Sequence, residues 1–581
     1  MFSGSDCKTA RVSIARLTRL VLYAGARPGS PERVVELSPV TVLVGPNNGG
    51  KSTALRDLTE YIGRSGTSPM PAWDGGTVIK EVEMSLPATR QDAIDFLASR
   101  THRQTESQVE IRSFTPGANA MPAGQTGIQG IPLSELNPEG HSPEFVGIKL
   151  LGPYTISLNG RQRFDLASGT QSGPLDGPPT SHWMAVERED EVYEEVDAMV
   201  HAAFEQHLVI QTFRPPSLQP ALGPTALPQE LRHSTSPEAV AQQQAATPLE
   251  DLSDGVQVFC GLVASVAALP HVLLLVDEPE AFLHPTLSRR LGANLARIAR
   301  QRDARLFAAT HSADFLMGCL EEVPETTVLR LDYRGGVPAS HALTTDKVSR
   351  LSRDPLLRSA DALHALFARS AVVCEADSDR AFYEEINRRL IDAEGRSGAL
   401  DAAFLNAQNW QTTERLASPL RAAGVPAAVL LDLDTLANDA VWPEMIAMGQ
   451  PSLADRDRIL QARAAARDAI IACGRAAPDA PLKVKLTGLA ALSEEQRGTV
   501  QTAINELAAI GIFLVEVGEL ENWLSQLGCT NKQTWVTDVL GRLGAPSDPA
   551  YVTPGQGDVW NFMEQIAGWL EDPSRQGMPD S

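Results

Sequence analysis

Two stretches of the sequence hold residues whose types and spacing could do chemistry on phosphates. The first runs from Gly45 to Ser52 and reads "GPNNGGKS", a full G-x-x-x-x-G-K-[ST] pattern. In such a loop the glycines let backbone N–H groups approach phosphate oxygens, and the helix that follows adds partial positive charge. We expect Lys51 to neutralise the β- and γ-phosphates and Ser52 to ligate Mg²⁺. The other nucleotide-binding candidates in this loop are Gly45, Asn48, Gly50 and Thr53.

The second stretch is "AVVCEADSDRAFYEEI", residues 371–386. An apolar run ends in Glu375, two Asp follow within four residues, and a segment with helical spacing comes next. Carboxylates at the end of a strand form either a solvated turn or the beginning of a metal site. The choice depends on the other carboxylates that the fold brings to the same place.

The phosphate loop lies between a predicted buried strand, residues 40–44, and a helix. A second strand, in "HVLLLVDEPEAFLHP" (271–285), has the apolar run of a central parallel strand and ends at Asp277. Asp277 is then placed to ligate Mg²⁺, and Glu278 to orient or deprotonate the attacking water. The alternative is a capped turn with no ligand.

Two further segments could complete a nucleotide site. "RLFAATHSADFL" (305–316) predicts a strand that ends near His311, where a side chain could sense the γ-phosphate or be hydrogen-bonded packing. "LEDLSDGVQVFCGLVASVAAL" (249–269) puts Ser253 and Gly255 at the start of an apolar helix. Such a start can bind phosphate through exposed N–H groups, although most are plain helix caps.

From about residue 365 the pattern restarts as strand, helix, strand, helix, strand, which predicts a small parallel sheet. The carboxyl ends of parallel strands share one edge, so Glu375 and the pair Asp432 and Asp434 should meet there. Strand alternation also points both Asp side chains to the same side. Clustered carboxylates repel unless a divalent cation neutralises them, and oxygen-only ligands suit Mg²⁺ or Mn²⁺. The alternative is two unrelated, solvated strand ends.

The segments between these motifs carry weaker signals. "YTISLNGRQRFDL" (154–166) predicts a hairpin around Asn-Gly, and the Pro-, Gly- and Gln-rich segments 113–140 and 212–248 predict loops or poorly ordered inserts. The helical segment 189–208 is either a dimerisation element or a solvated acidic helix. The Ala/Arg-rich helix in 450–480 could follow a phosphate backbone, although a solvated amphipathic helix fits better.

Composition bounds the class of protein. A chain of 581 residues, 43% hydrophobic and 21% charged, predicts three or four soluble globular domains. No apolar run reaches bilayer length, and the first residues lack a signal peptide pattern. A net charge of −22 argues against a protein that is basic all over. The six Cys form no C-x-x-C pair, which argues against a disulfide framework or zinc site and predicts a cytoplasmic location.

The four nucleotide-site elements, in this order, resemble the ABC-type ATPase heads of the SMC, Rad50 and RecF kind. The resemblance implies that "LSDGVQ" (252–257) completes the ATP site of the opposite subunit, so that two heads sandwich ATP in at least a dimer. "DEPEAFLHP" (277–285) looks most like the overcoming-lysogenization-defect (OLD) nucleases and phage-defence ATPases.

The carboxylate pattern resembles the TOPRIM domain of topoisomerases, primases and OLD nucleases. Ala376 stands where the OLD motif E-G-x-x-D has Gly, and Asn409-Trp410 stands where the family has Gly-Lys. "GIFLVEVGELENWL" (511–524) is similar to the family's second-metal element, with its Glu residues opening a helix. Lys532 matches a Lys that stabilises the transition state. The metal ligands that the resemblance implies are Glu375, Asp379, Asp432, Asp434 and Glu521, with Glu519 or Glu516 as substitutes.

The predicted fold class is therefore α/β: an ABC-type P-loop ATPase head with an inserted segment, followed by a TOPRIM α/β domain. We predict ATPase lobes at 1–90 and 249–345, an insert at 91–248, a TOPRIM nuclease domain at 365–545 and a tail at 546–581.

The predicted function is ATP-regulated DNA cleavage with Mg²⁺, Mn²⁺ or Ca²⁺ in a Gabija-like, OLD-family defence protein. The expected partners are DNA, a second copy of the chain, and a helicase or other defence protein, with no membrane. The alternatives are an ATP-dependent sensor whose TOPRIM domain does not cut, or a RecF-like repair ATPase.

Overall fold

The computed structural model describes residues 15–25, 30–64, 75–98, 101–113, 127–137, 140–160, 162–173, 179–334, 336–343, 347–348, 353–475, 477 and 479–575. The chain divides into two compact units. The first takes residues 1–23, 31–44 and 50–329, and the second takes residues 24–30, 45–49 and 330–581. Within the described ranges, no helix is both long and apolar enough to cross a membrane.

The first unit mixes strands and helices along its whole length. Its strands are β1 (Arg16–Leu22), β2 (Arg33–Glu36), β3 (Val40–Val44), β4 (Ile79–Ser85), β5 (Thr101–Gln104), β6 (Gln108–Ser113), β7 (Gly127–Pro132), β8 (Thr155–Leu158), β9 (Thr170–Gln171), β10 (His207–Arg214), β11 (Ser217–Gly223), β12 (Thr247–Pro248), β13 (Leu273–Asp277) and β14 (Arg305–Ala309). Its helices are α1 (Lys51–Gly63), α2 (Arg90–Ala98), α3 (Pro143–Leu151), α4 (Gln162–Asp165), α5 (His182–Arg188), α6 (Asp190–Phe204), α7 (Gln229–Arg232), α8 (Pro237–Ala245), α9 (Asp254–Ala268), α10 (Pro285–Gln301) and α11 (Ala313–Glu322).

A parallel array at the centre of this unit positions the nucleotide motifs. Strands β3, β14, β13 and β8 lie side by side in that order. Every residue of β3 and β14 is buried. Strands covered on both faces need mostly apolar side chains, which explains the apolar runs of these two segments. The hairpin predicted at 154–166 is wrong: β8 pairs in parallel with β13, and a turn and the short α4 follow it.

The inserted region has more regular structure than its composition predicts. Within 212–248, β10 and β11 form an antiparallel pair and α8 follows, so the expectation of loops is wrong there. In 113–140, residues 114–126 and 138–139 lie outside the described ranges, and β7 pairs with β6. Helix α6 buries Tyr193, Val196 and Val200, so only its other face is available to solvent or to a partner.

The second unit follows after residue 329. Its strands are β15 (Thr327–Arg334, which crosses the division), β16 (Val337–Leu343), β17 (Ser370–Cys374), β18 (Ala402–Asn406), β19 (Ala427–Asp432) and β20 (Ile512–Val515). Its helices are α12 (Pro355–Ser359), α13 (Asp377–Asp392), α14 (Thr413–Ala422), α15 (Trp442–Ala447), α16 (Leu453–Cys473), α17 (Lys483–Thr487), α18 (Glu494–Ala509), α19 (Trp535–Leu543) and α20 (Asp558–Glu571).

A parallel sheet in the order β18-β17-β19-β20 forms the centre of the second unit, as the strand–helix alternation predicts. The carboxyl ends of its strands therefore share one edge. Residues 546–581, predicted as a tail, contribute α20, whose buried Phe562, Met563 and Ile566 pack in the same hydrophobic core as Val372 and Leu430 of the sheet.

The long Ala/Arg-rich helix predicted in 450–480 is α16. Its arginines form ion pairs and hydrogen bonds inside the unit: Arg463 and Arg467 bind Asp439, and Arg458 pairs with Asp455 and Glu506. These paired side chains are therefore not an open row of cations for a phosphate backbone.

The opposite, amino-terminal end of the sheet is held by the buried guanidinium of Arg421, at the end of α14. Its Nε donates to the Ala427 carbonyl at 2.9 Å, and its Nη2 donates to the Gly511 carbonyl at 3.2 Å. The guanidinium also lies 5.3 Å from the ring centroid of Trp569. One side chain thus joins the starts of β19 and β20.

We expect Arg421→Met to lower the free energy of unfolding by about 3 kcal/mol, because several buried carbonyls lose their donors at once. Chemical denaturation followed by tryptophan fluorescence measures the change. Arg388→Met is the matched control, since Arg388 is half exposed and its ion pairs lie within its own helix. A loss at Arg421 no larger than the control's change of up to about 0.5 kcal/mol would contradict the assignment.

Candidate functional site

The phosphate loop connects β3 to α1, as the sequence pattern predicts. Gly45 has a φ of 132° and Gly50 a φ of 99°, a region of backbone conformation that favours glycine. A Cβ atom on Gly45 would also overlap the carbonyl oxygen of Leu331. Asn48 lies in the loop with a left-handed φ of 61°. The backbone therefore needs the glycines where the motif has them.

The two predicted Mg²⁺ partners of the nucleotide site are in contact. The Ser52 hydroxyl donates to Oδ1 of Asp277 at 3.0 Å. Asp277 is the last residue of β13, and burial raises the pKa of its carboxyl group above the ordinary value. The Lys51 side chain, at the start of α1, is buried, and Thr53 follows on the exposed side of the same turn.

A cavity of about 370 Å³ lies beside this pair, and Ser52, Asp277 and Gln162 all border it. Gln162 follows β8, the strand next to β13, and its Oε1 accepts a hydrogen bond from the Asn159 backbone N–H at 3.2 Å. Sequence reasoning did not select Gln162, because it places this residue in a predicted hairpin. The parallel β8 brings it to the carboxyl end of the sheet instead.

Glu278 and His311 are held by residues that the sequence reasoning did not select. Glu278 has a left-handed φ of 49°, and its carbonyl oxygen accepts a hydrogen bond from the buried Arg163. The His311 backbone N–H donates at 2.7 Å to Oε1 of Glu280, a carboxyl group whose pKa burial raises. Glu280 lies in the same motif as Asp277, but nothing in the sequence links it to His311.

Ser253 caps α9, as predicted, but its side chain does not accept a capping hydrogen bond. Gly255 in the first turn lies against the loop that follows β13: a Cβ there would be 2.7 Å from the carbonyl oxygen of Phe282. The Phe282 side chain is 61% exposed at a left-handed φ of 69°. The helix start and an exposed aromatic ring therefore form one surface of the first unit.

In the second unit, the carboxylates of two neighbouring strands meet. Glu375 follows β17, and its Oε1 accepts a hydrogen bond from the backbone N–H of Asp432 at 2.7 Å. Burial, with the charge of Asp432 next, raises the pKa of Glu375. Burial likewise raises the pKa of Asp432. Asp379, in the first turn of α13, accepts from the Ala376 N–H at 3.0 Å, and burial raises its pKa to about 6.

Asp432 and Asp434 both lie beside the ammonium group of Lys485, although strand alternation does not place them there. Strand β19 ends at Asp432, and residues 433–437 form a 3₁₀ turn, so the predicted alternation is wrong at Asp434. The Lys485 ammonium lies 3.5 Å from Asp432 Oδ2 and 3.4 Å from Asp434 Oδ2. The sequence reasoning missed Lys485, because it precedes the next strand by more than 25 residues and only the fold brings it to the edge.

The third predicted element also differs locally from the prediction. Residues 520–522 form a 3₁₀ turn rather than the start of a helix. Glu519 is buried, and its Oε1 lies 2.5 Å from the Lys532 ammonium. The Glu521 charge is among the causes that raise the pKa of Asp379, so the two carboxylates are electrostatic neighbours. Glu516 instead accepts a hydrogen bond from Gln501 at 3.3 Å.

The donor set suits a hard divalent cation, since it contains only carboxylate oxygens. In the described part of the chain, however, no three His, Cys, Asp or Glu side chains are arranged as ligands of one ion. The Lys485 ammonium stands in for a metal ion between Asp432 and Asp434. Asp432 and Asp434 therefore suit one divalent cation, whose further ligands do not yet surround that position.

Comparisons with known proteins bear on the first unit. Residues 166–318 match the family model described as "AAA domain, putative AbiEii toxin, Type IV TA system". The matched segment contains Ser253, Asp277, Glu278 and His311. No curated protein sequence matches the chain.

Among solved structures, the SMC head domain from Thermotoga maritima is 14% identical, with a TM-score of 0.28, and the match covers 56% of this chain and 99% of that one. The SMC head with an extended coiled coil bound to the C-terminal domain of ScpA, derived from Pyrococcus furiosus, is 12% identical, with a TM-score of 0.28 and coverage of 58% and 98%. The SMC head bound to the C-winged helix domain of ScpA is 14% identical, with a TM-score of 0.31 and coverage of 57% and 99%.

Residues 166–318 are thus similar to an ATPase domain of the AAA type. The phosphate loop lies before the matched segment, and its sequence and backbone conformation are typical of a nucleotide-binding loop.

The raised carboxyl pKa values predict how stability depends on pH. Glu375, Asp432 and Asp379 hold protons more tightly in the folded chain than in the unfolded chain. Their contribution to stability is therefore present at acidic pH and is lost as the pH rises from about 4 towards neutral. In metal-free buffer, we expect Glu375→Gln to lose less thermal stability than wild type between pH 5 and pH 8.

Thermal unfolding at the two pH values measures this difference. Glu384→Gln is the control: Glu384 lies on α13 with an exposed side chain that pairs with Arg380. It should keep the wild-type dependence on pH. If Glu375→Gln also keeps it, the Glu375 carboxyl group is not the buried acid that we describe.

Proposed function

We propose that the chain is an ATP-regulated, divalent-metal-dependent DNA endonuclease, in which the second unit is a TOPRIM-like nuclease of the OLD family. The observation that carries the proposal is the meeting of Glu375, Asp432 and Asp434 at one edge of a parallel sheet. Burying carboxylates that repel each other destabilises the fold, and such clusters are typical of functional sites. A divalent cation bound between them would offset the repulsion.

Asp432, Asp434 and Glu375 would hold the metal, with Asp379 and Glu521 or Glu519 as the further ligands. When bound, divalent ions supply activation of water and stabilisation of the leaving oxygen in phosphodiester hydrolysis. The rest is done by the chain: Asp432 holds Glu375 in place through its backbone N–H. Glu519 holds the half-exposed Lys532 ammonium at the same edge, where it can meet a developing negative charge.

In the ATPase domain, we assign Ser52 and Asp277 to Mg²⁺ and Lys51 to the β- and γ-phosphates. Glu278 orients or deprotonates the attacking water, and His311, held by Glu280, lies towards the γ-phosphate. Ser253 and Gly255 would contact the ATP of a second copy of the chain, so that ATP controls DNA cleavage through the state of the dimer. The word "toxin" in the description of the matching family model agrees with a role in prokaryotic defence against phage.

A second candidate function is an ATP-dependent sensor whose second unit binds a nucleotide or a partner protein without cutting. The Lys485 ammonium favours it, because it already offsets part of the negative charge of Asp432 and Asp434 without a metal ion. Ala376 and Asn409-Trp410, which depart from the OLD motifs, favour it as well.

Nicking of supercoiled plasmid in Mn²⁺ separates the two candidates. We expect wild type to nick and Glu375→Ala to lose at least about 100-fold of the rate, because it removes a metal ligand. Glu384→Ala, which changes an exposed side chain on α13, the helix that follows Glu375, should nick at the wild-type rate. Wild-type protein that does not nick in Mg²⁺, Mn²⁺ or Ca²⁺ would exclude the nuclease and leave the sensor.

We further expect Lys51→Ala to weaken ATP binding at least about 10-fold, since it removes a charge-assisted hydrogen bond to phosphate. Titration with a fluorescent ATP analogue measures the affinity. Arg300→Ala is the control: Arg300 is exposed near the end of α10 and donates to the Glu322 carbonyl. Comparing the nicking rate of Lys51→Ala with that of wild type, with and without ATP, shows whether ATP activates or restrains cleavage.

A further inference from the structure

The Lys485 side chain forms ion pairs with both Asp432 and Asp434. Its ammonium lies at nearly equal distances from the two carboxylates, 3.5 and 3.4 Å. The side chain is 32% exposed, so it has a path to solvent. The ammonium is therefore an internal counter-ion at the position where a metal ion is expected.

The backbone of Lys485 is fixed to the turn that carries Glu519 and Glu521. Gly518 has a φ of 104°, and a Cβ there would lie 2.5 Å from the carbonyl oxygens of Val484 and Lys485. The Asn522 side chain donates to the carbonyl oxygens of Val517, at 2.8 Å, and Lys485, at 3.4 Å. The Leu489 N–H donates to the Glu516 carbonyl at 2.9 Å. Helix α17 is thus attached to the carboxylate edge.

Because its backbone is attached to the edge, Lys485 can make room for a metal ion only by moving its side chain. A divalent cation bound by Asp432 and Asp434 would lie about 2.0–2.5 Å from their oxygens. The ammonium cannot stay at its present place between the same two carboxylates, because two cations would overlap and repel there. The four-carbon side chain can move out while its Cα atom stays at the edge.

We propose that Lys485 is a tethered competitor of the divalent cation for Asp432 and Asp434. Its single positive charge offsets part of the negative charge of the pair when no metal is bound, and it must leave for metal to bind. The inference rests on the proposed function, which requires a metal at this edge. Lys485 is then a positioning residue that sets the metal concentration at which the site becomes half occupied.

The test is calorimetric titration of Ca²⁺ into the metal-free full-length chain, without DNA. We expect Lys485→Gln to bind Ca²⁺ about 10-fold more tightly than wild type, because the competing charge is gone. Lys485→Arg should stay close to wild type. Lys483→Gln is the matched control: it removes the same charge two positions earlier on α17, and within the described residues Lys483 forms no ion pair. It should change the affinity far less.

Two outcomes would overturn the inference: Lys485→Gln binds Ca²⁺ no more tightly than wild type, or Lys483→Gln tightens binding equally. Thermal unfolding of each variant without metal shows whether it is folded, and Lys485→Met, which also removes the charge, tests the role should Lys485→Gln fail to fold. Plasmid nicking decides the proposed function separately. Wild type that nicks while Lys485→Gln binds Ca²⁺ as wild type does would reject the inference alone; tighter binding without nicking would reject the nuclease alone.

Discussion

Repulsion between buried carboxylates is the constraint on which the second unit depends. The parallel sheet brings Glu375 and Asp432 to one edge, and the turn after β19 adds Asp434. Folding must offset the cost of burying these negative charges together. The Asp432 backbone N–H donates to Glu375, and the Lys485 ammonium lies beside Asp432 and Asp434. The Lys532 ammonium pairs with Glu519. Helix α17 and the turn before α19, which carry the two ammonium groups, are thereby linked to the edge.

In the first unit, acidic groups are stabilised by hydrogen bonds from backbone and side-chain donors of the same unit. Asp277 accepts from Ser52, and Glu280 accepts from the His311 N–H. The Asp277 and Glu280 carboxylates thus each hold a residue that the sequence predicts for the nucleotide site. Such mutual positioning is typical of sites in which the geometry must exist before the ligand arrives.

The sequence was sufficient where local pattern and chemistry coincide. The phosphate loop, the strand ending at Asp277 and the strand–helix alternation after residue 365 are all local signals, and the strands and helices lie where these signals place them. It was insufficient where tertiary packing decides. The Asn-Gly segment after β8 looks like a hairpin until β13 provides a parallel partner. Arg163, Glu280 and Lys485 could not be selected from sequence, because the partners that reveal their roles lie far away in the chain.

The link between Arg421 and the two strand starts has a consequence for the carboxylates at the other end of the sheet. Side chains alternate along a strand, so a slip of β19 by one residue against β20 would turn Asp432 to the opposite face. Arg421 holds Ala427 and Gly511 in one fixed offset, and that offset sets which residues reach the edge. The Arg421 guanidinium at the amino-terminal end of the sheet thus fixes the strand register that determines where the acidic residues lie at the other end.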